Sequence, residues 1–304
     1  MAKLYLITGF LGAGKTTFLQ ELVRLFPGQK IALIINEFGK TGVDGTLLQT
    51  LGIALTEINN GSIFCSCQIG QFEEALRAVA DQAPDLVFVE ASGLSDPTAI
   101  CGILAQPQVG RKLEYAGAVC LVDGVRFQKV YQTARVCRMQ LAVSDLVLIN
   151  KADQATREQL DAIRAVVQAQ RPGRPVYETT FGRVEAAWLE AMACPAEGAS
   201  DLQIHTRDIT LQKLTLEVGG FDLTTLTAFL RMFAEDTYRI KGFADLPEGR
   251  YFVDCVGPLV ALHPFSGRVR EPGRLVVLFG NGLPARKSIK AACVWYPDCT
   301  VTMA

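Results

Sequence analysis

The chain has 304 residues, 49% hydrophobic and 20% charged, which is enough apolar material for two domains or one large one. Lys and Arg total 30 against 31 Asp and Glu, a net charge of -1, so no basic excess points to nucleic acid and no run of Lys or Arg points to a membrane surface. The apolar run before Gly9 is too short for a signal-peptide core, and no stretch approaches the ~18 apolar residues of a spanning helix. The expectation is a cytoplasmic protein.

Short apolar runs at 4–8, 31–36, 54–58, 86–90, 118–123, 146–150 and 176–177 read as strands. Several are nearly continuous Val, Ile and Leu, the pattern of parallel strands buried on both faces. Helical spacing separates them: Phe18, Leu19, Leu22 and Leu25; Phe72, Leu76 and Val79; Leu160, Ile163 and Val167. Alternating strand and helix predicts an α/β fold, a mainly parallel sheet with helices on both faces, over residues 1–193. Residues 194–207 have linker character. From 208 to 304 the pattern changes to a smaller α+β domain. Its strands fall at 209–218, 251–256 and 275–279, with a helix capped by Asp222.

The first apolar run leads into Gly9-Phe10-Leu11-Gly12-Ala13-Gly14-Lys15-Thr16-Thr17, a match to G-x-x-x-x-G-K-[ST] between a strand and a helix. Glycines let backbone N–H groups curl around phosphates, and the helix N-terminus adds partial positive charge. In such a P-loop, Gly9, Gly12, Ala13, Gly14, Lys15, Thr16 and Thr17 bind the phosphates. Lys15 reaches the β and γ oxygens, and Thr16 offers its hydroxyl to Mg²⁺. Residues 86–90 end in Glu90, a strand-end carboxylate able to hold Mg²⁺, and Gly93 lets the next loop approach the phosphates. Residues 146–150 run into Asn150-Lys151-Ala152-Asp153, or N-K-x-D. There Asp153 can accept from guanine N1–H and N2–H₂, a donor pair that adenine lacks, and Lys151 can lie along the base. The expected ligands are GTP and GDP, and the loop 179–182 is expected from its position to close over the base.

These segments, with Ile35-Asn36-Glu37-Phe38-Gly39, Glu90-Ala91-Ser92-Gly93-Leu94-Ser95-Asp96-Pro97 and Asn59-Asn60-Gly61, resemble the CobW-like branch of P-loop GTPases, more distantly UreG and HypB. The resemblance covers most of 1–190. It extends more loosely to 208–304 through Tyr238-Arg239-Ile240-Lys241-Gly242. It implies slow, metal-responsive GTP hydrolysis and delivery of metal to enzymes or cofactors, with Glu37 in a switch segment near the γ-phosphate. It also implies a client metalloenzyme or corrinoid-linked protein, and a homodimer is compatible with it.

One segment departs from the family. Its G-C-x-C-C cluster reads here Gly61-Ser62-Ile63-Phe64-Cys65-Ser66-Cys67. Ser62 and Phe64 stand at the first two cysteine positions, and neither is a good ligand for a borderline-soft ion. Two readings stand side by side: Cys65, Cys67 and Glu37 hold Zn²⁺ or Co²⁺, or the thiols only pack beside Phe64. His205, His263, Cys293 and Cys299 carry weaker signals. Mechanistically, Lys15 and Mg²⁺ stabilise charge on the transferred phosphoryl group, and Glu37 or Glu90 orients the attacking water. The competing readings are a GTPase that remodels a client without carrying metal, an ATP-dependent small-molecule kinase, and a binding module without hydrolysis.

Overall fold

The computed structural model describes residues 1–37, 54–59, 69–94, 97, 103, 111–192, 211–267, 269 and 272–303. They fall into two compact units, Met1–Asp208 and Ile209–Ala304. Among the described residues, no helix is long and apolar enough to cross a membrane.

The first unit is built on a seven-stranded sheet of Ala2–Gly9 (β1), Ile31–Glu37 (β2), Ala54–Asn59 (β3), Leu86–Glu90 (β4), Leu113–Asp123 (β5), Leu146–Asn150 (β6) and Val176–Glu178 (β7). The order is β3-β2-β4-β1-β5-β6-β7, and every neighbouring pair is parallel. Helices Lys15–Arg24 (α1), Ile69–Asp81 (α2), Phe127–Thr133 (α3), Arg135–Ala142 (α4) and Arg157–Gln170 (α5) lie between the strands in sequence, and Ala186–Glu190 (α6) follows β7. Successive strand residues point to opposite faces. Accordingly Tyr5, Ile7, Leu33, Ile35 and Phe88 pack with Phe18, Leu19 and Leu22 of α1. Leu4, Leu6, Ile34, Val87 and Val89 pack with Phe72, Leu76 and Val79 of α2 on the other face. Both faces are therefore covered, which explains why β4 and β6 are buried along their whole length. Helix α5 starts at a reciprocal cap: Gln159 N donates to Thr156 Oγ1 at 3.3 Å, and Thr156 N donates to Gln159 Oε1 at 2.8 Å.

Strand β5 begins five residues before the apolar run that predicts it. Near its start Glu114 is exposed and Tyr115 and Ala116 are only partly buried, and the register against β1 shifts between Leu4 and Tyr5. A mixed, bulged segment carries no continuous hydrophobic signal. Helices α3 and α4 lack side-chain caps and are seven and eight residues long, too short for a clear periodicity.

The second unit is an antiparallel sheet of Leu211–Gly219 (β8), Arg239–Leu246 (β9), Gly249–Val256 (β10), Leu259–Pro264 (β11), Arg274–Gly280 (β12) and Thr300–Met303 (β13), in the order β11-β10-β9-β12-β8-β13. Leu223–Arg231 (α7) and Ala285–Cys293 (α8) supply Leu226, Phe229, Leu230 and Ile289 to a core shared with Leu214, Ile240, Val253 and Val277. Asp222 caps α7, accepting from Thr225 N at 2.7 Å. At the centre of this core, Phe229 is fully buried, with ring centroids 5.0 Å from Phe221 and 5.1 Å from Phe233. Phe229→Ala is expected to destabilise this unit by about 3–5 kcal/mol, because both transfer free energy and close ring packing are lost. Urea unfolding followed by tryptophan fluorescence and circular dichroism measures it.

Candidate functional site

Strands β2–β4 lie to one side of β1 and β5–β7 to the other. A parallel sheet whose crossovers diverge in this way leaves a crevice at the carboxyl ends of its strands. The predicted site residues stand there. Gly9 ends β1, Glu90 ends β4, Asn150 ends β6 and Glu37 ends β2. Glu90 is buried beside Ile7 in the β1–β4 ladder. The side chain of Glu37 is outside the described set.

Residues 9–14 form a tight loop between β1 and α1. Gly9, Gly12 and Gly14 all have positive φ. Gly14 is the N-cap of α1 in a left-handed conformation, and a Cβ there would lie 2.3 Å from Asn150 Nδ2. Only glycine fits. No side chain caps α1 and no acid sits in its first turn, so its leading N–H groups are offered to whatever anion occupies the loop. The buried Lys15 curls back over the loop, its Nζ donating to Gly9 O at 2.9 Å and to Phe10 O at 3.4 Å. Thr16 is half-buried and Thr17 exposed. Gly93 serves a close approach to this loop: a Cβ would come within 2.8 Å of Leu11 N. Its carbonyl accepts from Gln140 Nε2 of α4 at 3.1 Å.

Asn150 joins this loop to another. Its Nδ2 donates to Ala13 O at 2.8 Å, and its Oδ1 accepts from Gly182 N at 3.1 Å. The segment after it is held from both sides. Gly124 N donates to Asn150 O at 2.8 Å, and Ala152 N donates to Thr179 O at 3.1 Å. Lys151 is left-handed at φ 59, and its Nζ reaches Asp123 Oδ2 at 2.6 Å. The other oxygen of Asp123 accepts from Val125 N and Arg126 N at 2.9 and 3.0 Å. Asp153 is exposed in a short 3₁₀ turn, Ala152–Gln154, and accepts no hydrogen bond among the described residues.

Sequence reasoning missed two of these parts. Asp123 ends an apolar strand as Glu90 does, so the same signal was there to be read. Gln140 is a single buried amide on a short helix, and nothing in its spacing marks it.

Cys65, Cys67 and His205 lie outside the described residues. His263 is exposed on β11, and Cys293 and Cys299 sit partly buried against the second unit's core. Among the described residues no group of three or more His, Cys, Asp or Glu can hold a metal ion. Cys120 and Cys137 line a small cavity behind the loop with Phe10, Leu11, Phe127 and Gln140. Burial pushes the Cys120 thiol up to about 12 and the Cys137 thiol higher still. Both stay protonated and inert in the folded state. At a pH of about 8, iodoacetamide is expected to leave Cys120 and Cys137 unmodified until the protein is unfolded, as peptide mapping by mass spectrometry will register.

The Asn150 bonds give a second test. Asn150→Asp keeps an acceptor for Gly182 N but loses the donor to Ala13 O, placing a carboxylate against a carbonyl. Melting temperature is expected to fall, and anion binding at residues 9–17 to weaken by about tenfold or more, since a buried unsatisfied group costs ~1–3 kcal/mol. Unchanged tripolyphosphate affinity in calorimetry would remove Asn150 from the loop's support.

Residues 3–178 match the family model described as CobW/HypB/UreG, nucleotide-binding domain. Similar proteins include the zinc chaperone CobW of Sinorhizobium sp, 29% identical over 302 residues, which span 83% of this chain and 84% of that protein. The zinc chaperone YeiR of Escherichia coli (strain K12) is 32% identical over 193 residues, spanning 62% and 58%. The zinc-regulated GTPase metalloprotein activator 1 of Schizosaccharomyces pombe is 25% identical over 214 residues, spanning 65% and 51%.

Proposed function

The chain belongs to the CobW/HypB/UreG family, and from that premise and the site geometry we propose that it hydrolyses GTP to GDP and couples nucleotide state to metal delivery or to maturation of a metallocofactor enzyme. The observation that carries this is the Asn150 amide. It bonds the phosphate-type loop at Ala13 and the 179–182 loop at Gly182, which supports reading the anion cradle and the N-K-x-D carboxylate as parts of one site.

In this reading Gly9, Gly12, Ala13, Gly14, Thr16 and Thr17 hold the phosphates through backbone N–H groups and hydroxyls. Gly9, Gly12 and Gly14 have positive φ, and a Cβ would collide with the Leu121 backbone at Gly9 and with the Asn150 amide at Gly14, so the loop keeps its tight path only with glycine there. Lys15, already lying along the loop, meets the β and γ oxygens and stabilises the charge that develops there. Gly93 keeps the β4 loop against the cradle. Asp153 selects guanine, and Lys151, its Nζ paired with Asp123, lies along the base. Asn150 acts chiefly by positioning. The hydroxyl of Thr16 and the carboxylate of Glu90 are hard oxygen donors suited to Mg²⁺, which when bound neutralises charge between the β and γ phosphates. Glu37 or Glu90 orients the attacking water. Turnover is slow until a partner, a second copy of the chain or a metal completes the site.

The names of the relatives, zinc chaperones and a metalloprotein activator, support a client partner. We take that client to be a metalloenzyme or corrinoid-linked protein in the cytoplasm, with residues 208–304 as a separate domain after a linker at 194–207. Cys65, Cys67 and Glu37 are the ligands proposed for Zn²⁺ or Co²⁺ as cargo. Ser62 and Phe64 favour a second reading, in which the GTPase remodels its client without carrying metal.

Asp153→Asn tests the nucleotide assignment. Affinity for GTP is expected to fall by about a hundredfold or more, and xanthosine triphosphate, which offers an acceptor where guanine offers a donor, to become the better ligand. Equal affinities for GTP and ATP in the unaltered protein would sink the reading. For the cargo, Zn²⁺ and Co²⁺ titrations in Mg·GTP and then Mg·GDP are compared with a Cys65→Ser/Cys67→Ser variant. Thiol-dependent binding that differs between nucleotides is expected for a chaperone. Its absence in both states leaves the client-remodelling reading.

A further inference from the structure

Phe181 has no role in the site as described so far. Its ring is 67% exposed, and it makes no ring contact among the described residues. Its backbone is left-handed at φ 54, and Gly182 follows at φ 67. A bulky residue in that region is an outlier that Gly or Asn would relieve, and such outliers gather where a ligand is met.

The loop that carries Phe181 is not loose. Thr179 N donates to Ile149 O at 2.8 Å, and Thr179 Oγ1 donates to Arg183 O at 2.6 Å. Gly182 N donates to Asn150 Oδ1 at 3.1 Å, and a Cβ on Gly182 would come within 2.7 Å of Phe18 N in α1. The loop is thus clamped between the end of β6 and the first turn of α1. Asp153 and Phe181 each lie within two residues of one hydrogen bond, Ala152 N to Thr179 O at 3.1 Å. An exposed ring on a fixed backbone and an exposed carboxylate on the turn hydrogen-bonded to it suit a flat, apolar-faced group with N–H donors on its edge.

We propose that Phe181 is the stacking platform of the base subsite and supplies affinity for the purine, while Asp153 supplies the choice between purines. This rests on the guanine-nucleotide reading above and adds a residue to it. Stacking on an aromatic ring tolerates any base, because every base has a π-face. The contribution of Phe181 therefore differs from that of Asp153: it strengthens guanosine and inosine nucleotides alike and leaves inorganic tripolyphosphate untouched.

The test uses the full chain and its Phe181→Ala and Phe181→Trp variants. Calorimetry measures GDP, IDP and tripolyphosphate, and thermal melting checks the fold. Phe181→Ala is expected to weaken GDP and IDP by about the same factor, near tenfold, which is ~1.4 kcal/mol. Tripolyphosphate binding is expected to stay unchanged. Phe181→Trp should restore affinity, and its added emission over the unaltered protein should be quenched by GDP and not by tripolyphosphate. If the unaltered protein binds GDP and Phe181→Ala binds it equally well, the stacking role is wrong and the site reading stands. If Phe181→Ala weakens tripolyphosphate as much as GDP, the residue supports the loop and is no platform. If the unaltered protein binds no GDP, both readings fall.

Discussion

One amide holds the site together. Asn150 is almost wholly buried, so both its polar atoms must find partners or cost the fold dearly. It finds them in two loops that are far apart in sequence, at Ala13 and at Gly182. A donor is needed on one side and an acceptor on the other. That requirement singles out a carboxamide, because a carboxylate cannot donate and a hydroxyl cannot span both loops. The glycine at position 14 follows from the same constraint, since any larger residue would occupy the place of Nδ2. The first loop's glycine and the second motif's asparagine are thus two halves of one contact.

Around this contact the backbone is held in conformations it would not adopt alone. Among the described residues, non-glycine positive φ occurs at Ala83, Lys151 and Phe181, and two of these three flank Asn150. Each left-handed residue costs roughly 1–2 kcal/mol. The ion pair from Lys151 to Asp123, with Asp123 fixed by two backbone N–H groups, offsets that cost at one position. The bonds of Thr179 and Gly182 offset it at the other. Among the described residues such strain gathers at these positions, as it does where a ligand shapes the backbone.

What could be read from the sequence follows from burial. β4 and β6 are covered on both faces, so their apolar runs are continuous, and the strand ends carrying Glu90 and Asn150 were legible. The loop motif was legible because its glycines and lysine are required together. β9 was not, because Arg239, Lys241 and Asp245 alternate with its buried residues and break the run. β11 and β13 are sheet edges with mixed exposure, so neither a buried face nor a continuous run announces them. In the site, Asp123 and Gln140 act on other protein groups, Lys151 and Gly93, and residues that hold other residues have no motif of their own.

The sheet also sets which strand ends stand next to the phosphate-type loop. β3 is an edge strand ending at Asn59, α2 begins at Ile69, and Cys65 and Cys67 fall between them in the sequence. Asn59 is paired with Glu37 at the end of β2. β2 is paired in turn with β4, where Ile35 faces Glu90, and Glu90 stands beside Ile7 on the strand that enters the phosphate-type loop. Three adjacent ladders therefore lead from Asn59 through two carboxylates to Gly9.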